Sequence, residues 1–224
     1  MKRQLEKDET QPQPVVAFYA HKGGVGKTTS CLAMAVRASQ KGLRVCLLDC
    51  DPQQNATAFL SQWQGEKRFD YEADYRAMAA KYRLDQIRTG ELTKEQEAQQ
   101  KQYALAHRNL FDLLVLPTND GYTTELGRQP CIGYPITDKL SVVAAHPMLS
   151  AYEMLLAYEV CERSLAANHM MRLTWLLRFL LDDRFDLVLL DLAPANSLFN
   201  QMALASCSHF IMPITGDRFA LQSL

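Results

Sequence analysis

Short apolar runs alternate with stretches of helical periodicity along most of this chain. Residues 15–20 (VVAFYA), 43–49 (LRVCLLD), 140–145 (LSVVAA), 185–192 (FDLVLLDL) and 209–214 (HFIMPI) are short and predominantly apolar. Such runs, bounded by polar residues and without regular polar alternation, predict strands buried on both faces. Residues 27–40 carry Cys31, Leu32, Ala35 and Ala38 at helical spacing. Lys41-Gly42 should stop that helix, because glycine accepts the left-handed cap conformation. Leu173, Leu176, Leu177, Leu180 and Leu181 mark one face of another amphipathic helix, read as core packing. Strand, loop, helix and strand within about 35 residues is the size of a βαβ unit with parallel strands. The alternation predicts an α/β fold: a doubly wound, mostly parallel sheet flanked by helices.

Two regions break the alternation. Residues 1–14 are polar and charged and read as a flexible leader to a domain spanning 15–224. Residues 61–110 are polar, glutamine-rich and helix-prone, with Gly65 and Gly90 as the only glycine breakers. Their charges nearly cancel, so they read as a solvated helical insertion rather than a basic arm. Tyr71, Tyr75, Met78, Ala79 and Tyr82 have helical spacing, so part of the insertion should pack on the sheet. The segment is either a partner-binding insertion or a long solvated connection.

Composition narrows the class. With 224 residues, 48% of them hydrophobic, the chain can bury one substantial core. Its 24 basic and 25 acidic residues give no argument for nucleic-acid binding from net charge. The six cysteines form no C-x-x-C pair and lack zinc-spaced histidines, which fits reduced, buried thiols and a cytoplasmic protein. The longest apolar runs, near residues 173–181 and 187–195, are interrupted by Arg178 and Asp191, so neither should span a membrane.

The chemistry concentrates in residues 21–29, His-Lys-Gly-Gly-Val-Gly-Lys-Thr-Thr, between the first strand and the first helix. Gly23, Gly24 and Gly26, with Val25 between them, let backbone N–H groups curl around phosphate oxygens. The helix beginning at Lys27 adds its positive dipole end. Lys27 should reach the β- and γ-phosphates of a nucleoside triphosphate, Thr28 should ligate Mg²⁺, and Thr29 should donate to the α-phosphate. The common pattern G-x-x-x-x-G-K-[ST] requires glycine at position 21, where this chain has His21; the loop matches the deviant form K-G-G-x-G-K-T-T instead. A carboxylate at the end of a buried strand near such a loop, as at Asp191, is where a metal ion would be anchored. Asp51 follows the second strand while Asp49 still belongs to it; either could orient an attacking water, and Asp49 could instead be a hydrogen-bonded strand-end carboxylate.

With these motifs in place, the chain resembles the ParA/MinD family of deviant-Walker P-loop ATPases, closest to its partition-protein branch. The resemblance rests on KGGVGKTT at 22–29, LLDCDPQQNAT at 47–57, LVLLDLAPANS at 187–197 and FIMPITGDRFAL at 210–221. It implies that Lys22 reaches across a dimer to the partner's nucleotide and that Asp51, rather than Asp49, orients the water. It implies that Asp191 is the Walker B carboxylate, acting mostly through water, and that Pro213 lies beside the adenine base. The implied function is an ATP- and Mg²⁺-dependent dimerising switch that hydrolyses ATP in plasmid or chromosome partition or cargo positioning. The implied partners are a second copy when ATP is bound, a ParB-like stimulator and non-specific DNA, but no membrane. Arg128 and Arg218 are candidate contacts to phosphate or DNA. Relatives continue beyond a segment like FALQSL, so the domain is expected to be truncated at its C-terminal end. Two other readings remain: a nucleotide-binding regulator with little hydrolysis, and a P-loop ligase or kinase acting on a small molecule.

Overall fold

The computed structural model describes residues 14–65, 109–115, 132–162, 166–182 and 184–214. Within them, six strands form one sheet: β1 (Val15–Phe18), β2 (Val45–Cys50), β3 (Tyr134–Thr137), β4 (Leu140–Val143), β5 (Leu187–Leu192) and β6 (His209–Ile211). Their spatial order is β3-β4-β2-β5-β1-β6. All neighbours pair in parallel except β3, which runs antiparallel to β4. The helices are α1 (Lys27–Gln40), α2 (Asn55–Ser61), α3 (Leu110–Leu114), α4 (Leu149–Glu162), α5 (Ala166–Leu181) and α6 (Leu198–Ser206).

Period-two alternation sorts the strand residues into two apolar layers. Val16, Phe18, Val45, Leu47, Leu187 and Leu189 face α1 and α2. Val15, Ala17, Cys46, Leu48, Val188 and Leu190 face α3, α4, α5 and α6. Every residue of β1, β2 and β5 is buried, as parallel strands covered on both faces require. By the same alternation Asp49 and Asp191 fall on the α1 side, and the β2–β5 register sets them directly opposite one another.

The parallel strands match the predicted runs but are shorter. Arg44 and Asp186 explain two of the displaced starts. The guanidinium donates to both Asp186 oxygens, at 2.8 and 3.2 Å, and Asp186 also accepts the Arg44 backbone N–H at 2.9 Å. This clip occupies the entrances of β2 and β5, so regular pairing begins at Val45 and Leu187. Helix α1 has the predicted bounds, and Leu173, Leu176, Leu177 and Leu180 on α5 are buried as the stripe predicted. Ser61 closes α2 and Leu110 opens α3, both buried; the rest of the expected insertion, from residue 66 to 108, lies outside the described residues.

The chain reverses at a topological switch point. From β1 it crosses through α1 to β2 on one side; from β5 it crosses through α6 to β6 on the other. The crevice between such diverging crossovers opens at the carboxyl ends of the strands, which is where α/β sheets bind ligands. The glycine loop, Asp51 and Asp191 all lie at that end.

Candidate active site

The loop from His21 to Gly26 joins β1 to α1. Gly24 and Gly26 have φ of +77° and +85°, in the left-handed region that side chains rarely adopt. The space that a side chain would take at Gly23, Gly24 or Gly26 is open, with no heavy atom within 4 Å. Gly26 caps α1 without a side-chain hydrogen bond, and the first turn carries no acidic residue. The helix therefore turns its first N–H groups and positive pole toward the loop, an arrangement suited to an anion.

Lys27 is the first residue of α1 and is only 7% exposed. Its Nζ donates to Asp191 Oδ1 at 2.7 Å and lies 3.4 Å from Thr28 Oγ1. Asp191 is fully buried, and its Oδ2 has no hydrogen-bond partner among the described residues. Burial raises the Asp191 pKa, the Lys27 charge and the Lys27 and Thr28 hydroxyl contacts oppose that rise, and the Asp51 charge adds to it. Lys27, Thr28, Asp51 and Asp191 thus share one electrostatic site. The hydroxyl of Thr28 and the unsatisfied Asp191 oxygen are hard oxygen donors. They fit a Mg²⁺ ion, which needs one or two protein oxygens beside phosphate and water.

Asp49 is fully buried beside Asp191. Its Oδ1 accepts the Asp51 N–H at 3.1 Å. Its Oδ2 accepts both the Thr57 N–H, at 2.8 Å, and the Thr57 hydroxyl, at 2.7 Å. Burial pushes the Asp49 pKa up to about 7; Asp191 adds to the rise while the Thr57 and Asp51 donors oppose it. Asp51 follows β2 and is 4% exposed, with Oδ1 accepting the Gln53 N–H at 2.9 Å.

The remaining predicted residues are more dispersed. Lys22 is exposed on the glycine loop, and Thr29 is exposed in the first turn of α1. Pro213 is half-buried just beyond β6. His146 accepts the Met148 N–H through Nδ1 and stacks its ring on Phe111 with centroids 5.5 Å apart. Arg128 and Arg218 lie outside the described residues.

Sequence reading missed Thr57 and Asn200. Asn200, in the first turn of α6, donates through Nδ2 to the carbonyls of Ala193 (2.8 Å) and Ala195 (2.6 Å). It thereby pins the loop that follows Asp191. The Ser197 N-cap, whose side chain accepts the Asn200 N–H at 3.2 Å, was a legible signal for that helix start.

A family profile described as an AAA domain matches residues 13–224. The chromosome-partitioning ATPase Soj of Thermus thermophilus is 49% identical over 45 residues, covering 20% of this chain and 18% of Soj. Protein DIP2308 of Corynebacterium diphtheriae superposes with a TM-score of 0.64 at 25% identity, covering 94% of this chain and 61% of that one. Cobyrinic acid a,c-diamide synthase of Mycobacterium smegmatis, solved with an ATP analogue and magnesium, has the same fold. Its TM-score is 0.57 at 19% identity, covering 94% of this chain and 63% of the synthase. This chain therefore spans less than two thirds of the length of each.

Proposed function

Because the chain belongs to the AAA-domain family of ParA/MinD-like P-loop ATPases, we propose that it is an ATP-dependent dimerising switch that hydrolyses ATP to ADP and phosphate. The observation that carries this reading is the meeting of Lys27, Thr28 and the half-satisfied Asp191 carboxylate under a loop of left-handed glycines. The loop amides and the α1 dipole hold the phosphate chain. Lys27 turns from Asp191 toward the β- and γ-phosphates and leaves both Asp191 oxygens to a hydrated metal site. Magnesium, when bound by Thr28 and through water by Asp191, supplies charge neutralisation at the phosphate oxygens. Asp51 orients the attacking water. Phosphoryl transfer needs little more from a protein than such positioning and charge compensation.

Exposed Lys22 reaches the nucleotide of a second copy, so that dimer stability depends on the γ-phosphate. Hydrolysis removes those contacts and acts as a timer. Pro213 lies beside the base. The biological role is partition or cargo positioning in the cytoplasm, in keeping with the similarity to Soj. A ParB-like stimulator and sequence-independent DNA are the partners this reading implies. No helix among the described residues is long and apolar enough to cross a membrane.

The test compares ATP binding and phosphate release for wild type and Asp51→Ala. The account expects both to bind ATP and only wild type to turn it over. Loss of ATP binding in Asp51→Ala would show that Asp51 has been given the wrong role. Equal inactivity of both with every candidate partner would leave a nucleotide-binding regulator. The synthase sharing this fold keeps a small-molecule ligase as the rival; that reading requires an acceptor site beside the γ-phosphate of a monomer.

A further inference from the structure

We propose that Asp49 and Thr57 form a clamp that positions Asp51, a role resting on the hydrolytic reading above. Asp49 sits two residues before Asp51 and is fully buried, with its carboxylate turned inward by the strand alternation. It accepts three hydrogen bonds, one from the Asp51 N–H and two from Thr57. Its oxygens are committed to holding the backbone, which makes it a positioning residue rather than the group that meets water. Thr57, also fully buried, passes the constraint on: its Oγ1 accepts the Ala145 N–H at 3.0 Å, just beyond β4. Gln54 Nε2 donates to the carbonyl of the same Ala145, again at 3.0 Å.

The turn bearing Asp51 is therefore fixed at both ends. Asp49 holds its start, while Thr57 and Gln54 anchor its exit to Ala145, just beyond β4. Gln54 itself has φ +62°, a left-handed conformation disfavoured for any residue with a side chain. Such a conformation persists where its surroundings over-determine it. The Asp51 side chain is tied to the same turn through the Gln53 N–H, so its direction follows the direction of the turn. Water activation tolerates little displacement: a misplacement of about 1 Å lowers a rate by about a hundredfold.

The test uses Thr57→Val, Thr57→Ser and Asp49→Asn. Valine keeps the shape and removes the hydroxyl, serine restores the hydroxyl, and asparagine removes the carboxylate charge. Three quantities are measured in the full chain: affinity for a fluorescent ATP analogue, single-turnover hydrolysis, and amide hydrogen exchange across residues 50–57. Thr57→Val and Asp49→Asn should keep affinity within about threefold of wild type, lower the hydrolysis rate by about tenfold or more, and speed exchange at the Asp51 amide. Thr57→Ser should recover rate and protection together. Hydrolysis at the wild-type rate in Thr57→Val, or rate and affinity falling in equal proportion, would overturn the clamp. Wild type that binds ATP without hydrolysing it would end the hydrolytic reading by itself. In that case, unchanged Asp51 exchange in Thr57→Val rejects the clamp, and faster exchange that serine reverses supports it.

Discussion

Replacing Lys27 with methionine should destabilise the folded protein even without nucleotide. Methionine keeps an unbranched chain of similar length and removes only the ammonium. The ion pair that is lost is buried, with Lys27 7% exposed and Asp191 not exposed at all, and it is 2.7 Å long. Breaking a buried pair by removing one partner costs about 3–5 kcal/mol, because the remaining charge is left uncompensated in a poorly polarisable site. Asp191 has one escape, which is to take up a proton. Burial already raises its pKa, and Lys27 is the main influence holding it down. In Lys27→Met the folded-state pKa of Asp191 therefore lies further above its unfolded value. The folded state then keeps a proton that the unfolded state releases, so stability falls as pH rises from the unfolded pKa to the folded one.

Urea unfolding at pH 5 and at pH 7.5 reads this directly. The destabilisation relative to wild type should be smaller at pH 5, by about 1–3 kcal/mol, at roughly 1.4 kcal/mol per pH unit within the titrating window. Asp191→Asn combined with Lys27→Met removes both charges and should be more stable than Lys27→Met alone at pH 7.5. A loss below about 1 kcal/mol, equal at both pH values, would refute the reasoning by assigning the pair the energy of an exposed one.

Other perturbations read other parts of the structure. Asp49→Asn should flatten the pH dependence of stability: wild-type Asp49, with a folded pKa near 7, contributes a loss of about 2 kcal/mol between pH 5.5 and 7.5, which urea unfolding of the variant should lack. Asn200→Ala should cost about 2 kcal/mol by leaving the Ala193 and Ala195 carbonyls without their donor, and should speed amide exchange in residues 193–197. Gly133→Ala places a Cβ 2.7 Å from the Val142 carbonyl oxygen at φ +77°, so it should lower stability by about 2–4 kcal/mol and part β3 from β4, read by circular dichroism melting.

Much of the candidate site was legible because most of the residues it draws on are adjacent in the sequence. The glycine loop and Lys27 must follow one another to build a phosphate cradle, and Asp191 ends an apolar strand. Thr57 and Asn200 carry no such local pattern. Thr57 is eight residues from Asp49 but 88 from Ala145, a contact that only the sheet order brings about. Helix α4 escaped notice because it is apolar on both faces: Tyr152 and Leu156 are buried, while Met154 and Tyr158 are exposed by 75% and 64%. Without a polar face there is no period to detect. β3 is four residues long and contains Pro135, and its pairing depends on Gly133 fitting against β4. Lys22 came from family resemblance alone; it stands exposed on the loop, and only the proposed function gives it a second molecule's nucleotide to reach.

That action is the centre of the account. Sedimentation equilibrium of wild type and Lys22→Ala, each with magnesium and a non-hydrolysable ATP analogue, addresses it most directly. The account predicts a two-subunit mass for wild type with the analogue, a one-subunit mass without it, and a one-subunit mass for Lys22→Ala that still binds the analogue. A wild-type mass indifferent to nucleotide, or a Lys22→Ala protein that dimerises as readily as wild type, would contradict it.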